Sequence, residues 1–325
     1  MQPMLAELAR ELPRGDFLYE PKWDGFRCLA SVTSSQVELR SRNGRPLARY
    51  FPEIVAALAR LPDVALDGEL MIATVRGSDF GALLNRVHPS QSRVDELSRT
   101  TPASYVVFDL IDEPSQPFAE RRARLEKLPL SLPIALTPLT DDPDQAGAWL
   151  ADTERRGIDG VVAKHRASRY EPGRRGWIKV KPLRTAECVV GGFRPQLDVT
   201  GVASLLLGLY DGGALIHVGV ASQFRAAQRR ELFHELVPIA TALERHPWEH
   251  GFNLGRSPMG RLPGSAGRWV AGEMTQDWVP VRPIRVCEVA YDKIDEGVRF
   301  RHPARFLRWR PDRDARSCLL DQLAC

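Results

Sequence analysis

The spacing of apolar residues predicts that strands and helices alternate through the first half of the chain. Short β-rich runs predict strands at 17–20, 64–71, 103–111, 158–164 and 177–180. Helices are predicted at 52–61, 118–128 and 143–156. In the first of these, Pro52 occupies the start, while Ile54, Leu58 and Leu61 share one face. This alternation is typical of a mixed α/β domain.

Near residue 185 the pattern changes, and strands dominate. They are predicted at 188–193, 204–210, 215–220, 285–291 and 305–310, with a single helix whose N-cap is Ser222. Short strands with one helix are typical of a small barrel such as an OB-fold. Residues 252–267, rich in Gly, Pro and Ser, are predicted to form a surface loop. We therefore expect an α+β protein with two domains, a mixed α/β domain at 1–184 and a β-barrel at 185–325.

Composition narrows the class of protein. No apolar run approaches the ~20 residues of a membrane helix, and the charged N-terminus does not resemble a secretory signal. The five cysteines are widely spaced without a CxxC pair, which argues against a zinc ribbon or a disulfide framework and for a cytoplasmic protein. The net charge of +4 permits a nucleic-acid partner. Residues 299–316 hold seven arginines among aromatic residues, a mixture that suits phosphate-rich ligands or, equally, a solvated strand edge.

Lysine is scarce in this chain, which makes each lysine a candidate for chemistry that arginine cannot perform. Of 45 basic residues only six are lysine. Arginine stays protonated in proteins, whereas lysine can lose its proton and act as a nucleophile. Four of the six lysines lie in short structured motifs: Lys22, Lys164, Lys179 and Lys181.

The segment KWDGFR at residues 22–27 resembles the KxDGxR motif of the covalent nucleotidyltransferases, which include ATP- and NAD-dependent DNA ligases, RNA ligases and mRNA capping enzymes. The resemblance extends from about residue 15 to residue 313, through an ordered series of further motifs. It implies that Lys22 attacks the α-phosphate of ATP and becomes adenylated. For that attack we expect burial or neighbouring positive charge to lower the pKa of Lys22.

The other motifs of the first domain imply a nucleotide site. Lys179 and Lys181, two apart on a predicted strand, point the same way and would assist Lys22 at the α-phosphate. The resemblance places the remaining contacts at Glu20 and Phe108 for adenine, Arg27 for the ribose or the nick, Glu69 for the ribose, Arg42 for the AMP phosphate and the DNA end, and Lys164 in the segment after Asp159.

The resemblance also implies a divalent cation, Mg²⁺ or Mn²⁺, bound by Asp159 and Glu69. The stretch from Ile158 to Lys164 resembles the family's EGhVhK motif, with aspartate in place of the usual glutamate. Aspartate is one methylene shorter, so its contact with the cation could run through a water molecule.

The segment RWRPDR at 308–313 resembles the family's RxDK motif in the OB domain, with arginine for the final lysine. Arg310, Asp312 and Arg313 would orient the pyrophosphate during adenylation, which implies that the OB domain closes over the site. The family's VGTGF segment is replaced by VASQF here. The absence of a four-cysteine zinc site favours ATP over NAD.

The pattern most resembles short bacterial ATP-dependent ligases of the LigC type, or the ligase module of bacterial end-joining enzymes. This implies a cytoplasmic, nucleoid-associated bacterial monomer that seals 5′-phosphate/3′-OH nicks in duplex DNA during repair, with repair or end-joining proteins as partners. It would act through lysyl-AMP and DNA-adenylate intermediates. The alternatives are an RNA ligase, a capping-type nucleotidyltransferase, and a non-catalytic nucleic-acid-binding protein that uses only its OB-fold.

Overall fold

The computed structural model describes residues 2–74, 77–196, 200–249, 278–295 and 298–323. The chain divides into two compact units, Met1–Pro182 and Leu183–Cys325. That division falls two residues before the boundary predicted after residue 184. The loop predicted at 252–267 lies outside the described residues.

The first unit contains two main sheets and a set of short helices. Its strands are β1 (Leu5–Ala9), β2 (Phe17–Lys22), β3 (Phe26–Thr33), β4 (Gln36–Ser41), β5 (Val64–Met71), β6 (Ala73–Thr74), β7 (Gly77–Ser78), β8 (Ser104–Leu110), β9 (Ile134–Leu136), β10 (Gly160–His165) and β11 (Arg175–Val180). Its helices are α1 (Pro52–Leu58), α2 (Phe80–Arg86), α3 (Gln91–Thr100), α4 (Phe118–Leu125), α5 (Pro143–Ala151) and α6 (Thr153–Arg156).

The two main sheets of this unit have the orders β1-β11-β10-β2 and β4-β3-β5-β8-β9. The five-stranded sheet packs its apolar face against α1, whose Ile54 and Leu58 are fully buried with Leu66 and Leu70 of β5. Burial of such a face is the main force that holds a short helix on a sheet. Because this face of the five-stranded sheet is apolar, the charged residues of its strands lie on the opposite face or at the strand ends.

The second unit is built around a barrel of strands. They are β12 (Arg184–Pro195), β13 (Val202–Asp211), β14 (Ala214–Ser222), β15 (Val279–Tyr291) and β18 (Ala304–Trp309), with the small pair β16 (Ile294–Asp295) and β17 (Arg299–Phe300) beside them and one longer helix, α7 (Ala226–Leu236). The order is β12-β13-β14-β18-β15, and pairing of β15 with β12 completes the ring. The predicted architecture, a mixed α/β unit followed by a β-barrel, is confirmed.

Several element bounds differ from the predictions, and the helix predicted at 118–128 ends at Leu125. The first helix ends at Leu58 rather than at residue 61, and the helix predicted at 143–156 is interrupted at Asp152, whose backbone leaves the helical region with φ −122° and ψ 39°. The N-cap predicted at Ser222 is wrong. Ser222 continues β14 and pairs with Arg305 of β18, so the helix begins at Ala226 and its N-cap is Arg225.

Candidate active site

A cavity of about 270 Å³ in the first unit is lined by residues of both main sheets. Eight of the predicted site residues line it: Glu20, Lys22, Arg27, Arg42, Glu69, Phe108, Lys164 and Lys179. They come from strands far apart in the sequence, so the sheets bring together groups that the sequence motifs present separately. Mixed apolar and charged walls are typical of a site for a small polar ligand.

Strand register explains how the four-stranded sheet presents its part of the cavity. Glu20 of β2 stands opposite Val162 of β10, which stands opposite Lys179 of β11. Two positions further along β2, Lys22 stands opposite Gly160. Because side chains two residues apart share a face, Glu20 and Lys22 reach the same cavity from one strand.

Lys22 shares a carboxylate with a second lysine. Its Nζ lies 2.5 Å from Oδ2 of Asp159, and Nζ of Lys181 lies 2.8 Å from the same oxygen. The backbone N–H of Asp159 donates to the carbonyl oxygen of Lys22 at 2.6 Å, which brings the two residues together. The next residue, Gly160, has φ +148°, and a Cβ there would lie 2.2 Å from the carbonyl oxygen of Val180. Only glycine allows this approach of β10 to β11.

These contacts set the charges at this end of the cavity. Burial alone lowers the pKa of Lys22, but the charges of Asp159, Glu69 and Asp24, with the hydrogen bond to Asp159, outweigh burial and raise it. Burial likewise opposes ionisation of Asp159, yet Lys22 and Lys181 hold the pKa of that carboxyl at about 2. The prediction of a lowered pKa for Lys22 is therefore wrong for this arrangement, because sequence reasoning did not anticipate the direct carboxylate contact.

Lys179 is the lysine whose pKa falls. Burial is the largest cause, and the positive charges of Lys22, Lys181 and Arg42 act in the same direction. Arg42 lies in the exposed turn after β4, at the edge of the cavity. Lys22, Lys179 and Arg42 line the cavity, and Lys181, which is not among its lining residues, lies close to them. These four cations define a cationic end of the cavity, which favours an anion with several negative charges.

Glu69 lies on β5 near Lys22. Burial raises its pKa to about 7, although Lys22 and Arg27 oppose the shift. Within the described residues, no group of three or more His, Cys, Asp and Glu side chains could hold a metal ion. A cation bound by Asp159 and Glu69 would therefore need further oxygen ligands from its substrate or from water, as Mg²⁺ commonly has.

At the other end of the cavity, Glu20 and Lys164 form a buried ion pair. They are 2% and 1% exposed, and their charged atoms lie 2.8 Å apart. Lys164 also donates to the carbonyl oxygen of Phe108 at 2.7 Å, and its Nζ lies 4.4 Å from the ring centre of Trp177. Phe108 itself is only partly buried, so part of its ring faces the cavity.

Arg27 is held by partners that sequence reasoning missed. Its Nε and Nη2 donate to the two carboxylate oxygens of Asp67, each at 2.5 Å, and Tyr170 donates its hydroxyl to Asp67 at 2.6 Å. The guanidinium lies 4.8 Å from the ring centre of Phe108 and 5.0 Å from that of Trp177. Asp67 belongs to the DGE segment on β5, which pairs with the strand of Arg27. The sequence signal for this contact was the acidic residue at the start of that segment.

Eight further cavity residues were not predicted: Leu5, Ala6, Leu8, Pro21, Trp23, Val162, Arg175 and Trp177. Arg175 and Trp177 precede Lys179 at alternate positions of β11, so strand periodicity alone would have placed them on the same face. Val162 lies opposite Glu20, and only the register of β10 shows this.

Of the three predicted residues of the second unit, the two arginines contact Glu187, and Asp312 contacts Arg310. Arg310 donates to Asp312 at 2.6 to 3.2 Å and also to Glu187, while Nε of Arg313 lies 2.6 Å from Glu187. The hydrogen bond from Arg310 is the largest cause that lowers the pKa of Asp312, to about 2. Glu187, on β12, was not predicted.

Comparison with known proteins identifies the family. Residues 3–181 match the family model described as the ATP dependent DNA ligase domain, and residues 199–313 match that of the ATP dependent DNA ligase C terminal region. The chain belongs to the ATP-dependent DNA ligase family. The predicted enzyme class, an ATP-dependent DNA ligase, is thereby confirmed.

Among curated relatives of this ligase, DNA ligase C of Mycobacterium tuberculosis is 46% identical, with 99% of this chain and 93% of the relative covered. DNA ligase C2 of Mycolicibacterium smegmatis is 45% identical over 99% of this chain and 94% of its own. The LigD end-joining protein of Pseudomonas aeruginosa is 33% identical over 97% of this chain but only 36% of its own length. These matches confirm the predicted resemblance to the LigC type.

Solved structures agree in fold. A Lig E DNA ligase has a TM-score of 0.59 at 19% identity, covering 95% of this ligase and 100% of that chain. The structure titled Pmar-Lig_Pre has a TM-score of 0.62 at 18% identity, covering 95% and 68%. Within the described residues, no helix is long and apolar enough to cross a membrane.

Proposed function

We propose that this ligase seals 5′-phosphate/3′-OH nicks in duplex DNA, with Lys22 carrying AMP from ATP to the 5′-phosphate. The observation that carries the proposal is the position of Lys22 at the cationic end of the cavity, beside Lys179 and Lys181. A lysine is the only basic side chain there that can lose its proton and attack phosphorus. Membership of the DNA ligase family supports DNA as the substrate.

In the first step, Nζ of Lys22 forms a bond to the α-phosphorus of ATP, and the bond to pyrophosphate breaks. Asp159 keeps Lys22 protonated, and its own pKa of about 2 makes it a poor base, so the lysine proton must pass to solvent. Lys22 becomes a nucleophile once its contact with Asp159 is broken and its proton has left, while Lys179 and Lys181 neutralise charge on the phosphates. Positioning and charge neutralisation supply most of the rate in such transfers.

The AMP then moves to the 5′-phosphate of the nick. The 3′-hydroxyl attacks that activated phosphorus, closes the phosphodiester and releases AMP. Arg42, at the edge of the cavity with its side chain exposed, is suited to hold the incoming 5′-phosphate.

The opposite end of the cavity suits a purine. We assign base stacking to Phe108, which lines the cavity, and base-edge recognition to Glu20 and Lys164. Arg27, beside Phe108, and Glu69, whose charge interacts with Lys22 and Arg27, would contact the ribose.

Asp159 and Glu69 fit a divalent cation in number and chemistry, because Mg²⁺ is commonly bound by one or two carboxylates together with substrate phosphates. When bound, the ion would neutralise charge on the polyphosphate. Aspartate at position 159 keeps the carboxylate, and its lysine contacts place it at the phosphate end.

We assign the first unit as the adenylation domain and the barrel as an OB-fold domain. Arg310 and Arg313, which contact Glu187, and Asp312, which pairs with Arg310, would orient the pyrophosphate when that domain approaches the adenylation site. A monomeric cytoplasmic enzyme that works with bacterial repair or end-joining proteins remains part of the proposal.

The test is intact mass of the protein, freed of AMP, after incubation with ATP and Mg²⁺, with GTP and NAD in parallel, followed by nicked DNA. One AMP gained from ATP alone, and lost as sealed DNA appears, is the expected result. Gain of GMP would indicate a capping enzyme, and sealing of nicked RNA in preference to DNA would indicate an RNA ligase. No gain from any nucleotide would favour a binding protein.

Lys22→Arg keeps the charge but removes the nucleophile, so the adduct should disappear. Lys127→Arg is the matched control, because Lys127 is an exposed lysine outside the cavity. An adduct that persists in Lys22→Arg would refute the assignment of Lys22.

A further inference from the structure

Helix α4 carries two adjacent buried arginines that belong to none of the motifs discussed above. Arg121 is fully buried and bonds both carboxylate oxygens of Asp109, at 2.8 and 3.0 Å. Arg122 is 6% exposed and faces Glu20 instead. Buried arginines need several acceptors to offset their desolvation, so the groups they contact are fixed in place with them.

Arg122 makes three contacts with three different segments. Its Nη1 lies 3.4 Å from Oε1 of Glu20, its Nη2 donates to the carbonyl oxygen of Thr137 at 2.9 Å, and its Nε donates to Glu126 at 2.8 Å. The planar guanidinium can make such divergent bonds at once, which a lysine ammonium on a flexible stem does less well.

The contact with Thr137 leads back to the nucleophile. Thr137 is 1% exposed, and its hydroxyl oxygen accepts a hydrogen bond from Nε1 of Trp23 at 2.9 Å. Trp23 lines the cavity directly after Lys22. Arg122, which lies outside the cavity, therefore contacts Glu20 directly and supports Trp23, the residue after Lys22, through Thr137.

The contact with Glu20 bears on base recognition. One oxygen of Glu20 faces Lys164 at 2.8 Å and the other faces Arg122 at 3.4 Å, so both remain close to fixed cations. Burial raises the pKa of Glu20, while the charges of Lys164 and Arg122 oppose that shift. Arg122 thus helps to keep Glu20 ionised, and an ionised carboxylate only accepts hydrogen bonds.

We infer that Arg122 is a positioning residue that sets the preference of the nucleotide cavity for an amino group at C6 of the purine, acting through Glu20. This inference rests on the proposed assignment of Glu20 to the base edge. Adenine presents a 6-amino donor to a carboxylate, whereas guanine presents a carbonyl oxygen there, which a carboxylate repels. A buried carboxylate that accepts a hydrogen bond from the 6-amino group disfavours a nucleotide without that group, because the carboxylate is then left without its hydrogen bond.

The experiment compares Arg122→Met with Arg124→Met. Arg124 lies on the same helix and pairs with Glu113, but both side chains are at least 42% exposed, so it is a matched control. KM and kcat of self-adenylation are measured with ATP and with purine riboside triphosphate, which lacks the 6-amino group, and folding is checked by circular dichroism.

For Arg122→Met we expect KM for ATP to rise about tenfold or more. We expect KM for the 6-deamino analogue to stay within about threefold and kcat for both to change little. Arg124→Met should match the wild type. Equal shifts for ATP and the analogue, or no shift for either, would overturn the inference, because a general loosening of the fold cannot distinguish the two nucleotides.

Two further variants test the inference if Arg122→Met folds poorly. Arg122→Lys keeps a cation near Glu20 and should retain part of the preference for ATP, whereas retention of the full preference would count against the inference. Glu20→Met, which removes the acceptor oxygens that glutamine would partly keep, should lose the same preference, and adding Arg122→Met to it should change the ATP-to-analogue ratio little further. Independent, additive losses would overturn the inference. A wild-type enzyme that never becomes adenylated would instead overturn the proposed function.

Discussion

Replacing Glu69 with glutamine should remove a carboxyl group that titrates near neutral pH. Burial raises the pKa of Glu69 from an ordinary 4.5 to about 7 in the folded protein. Between those values the folded state holds a proton that the unfolded chain has released, so rising pH lowers the free energy of unfolding. At about 1.4 kcal/mol per pH unit, the contribution reaches roughly 3 kcal/mol by pH 8. The difference in free energy of unfolding between Glu69→Gln and the wild type should therefore shift by roughly 3 kcal/mol in favour of the variant as the pH rises from 4.5 to 8.

The direct assay is a carbon-13 NMR titration of glutamate side-chain carboxyls, on protein freed of AMP by pyrophosphate and Mg²⁺ and then dialysed. One resonance with a midpoint near pH 7 should vanish in Glu69→Gln. In Lys22→Met the same resonance should move to higher pH, because Lys22 is the charge that most strongly opposes the raised pKa. Urea unfolding at pH 5 and pH 8 measures the stability difference, with the exposed Glu120→Gln as control. A midpoint near 4.5, or a stability difference that does not change with pH, would refute the reasoning.

Two further substitutions test packing around the site. Arg121→Met removes the arginine that bonds both carboxylate oxygens of the fully buried Asp109 and should lower the free energy of unfolding by about 3 to 5 kcal/mol. The exposed Arg124→Met should lower it by about 0.5 kcal/mol or less. Equal losses in urea unfolding would contradict this prediction. Gly160→Ala places a Cβ 2.2 Å from a backbone oxygen of β11 and should slow self-adenylation at least roughly 100-fold, as measured by radiolabelled AMP incorporation. Gly147→Ala, where a Cβ would meet nothing within 4 Å, is its control, and similar rates for the two variants would rule out the steric argument.

Strong local periodicity explains which elements could be predicted. The strand at 64–71 was predicted at its observed bounds, because a short, mostly apolar run after the turn residues Pro62 and Asp63 defines a buried strand locally. The strand Leu5–Ala9 was not predicted. Its sequence LAELA has no clear alternation, and it becomes a strand only by parallel pairing with β11. The end of the first helix was also misplaced, because tertiary contacts rather than propensity decide where a short helix stops.

The amino-acid sequence by itself determined the chemistry-bearing residues and their order, since a nucleophilic lysine and its neighbouring cations are constrained by residue type. It could not determine which charges meet. Lys22 and Asp159 are 137 positions apart and Glu20 and Arg122 are 102 apart, yet each pair is in contact. The direction in which the pKa of Lys22 moves, the ionisation of Glu69 near neutral pH and the role of Arg122 all follow from those contacts. Tertiary structure decides them, because burial and Coulombic interaction depend on distance in space and not on separation along the chain.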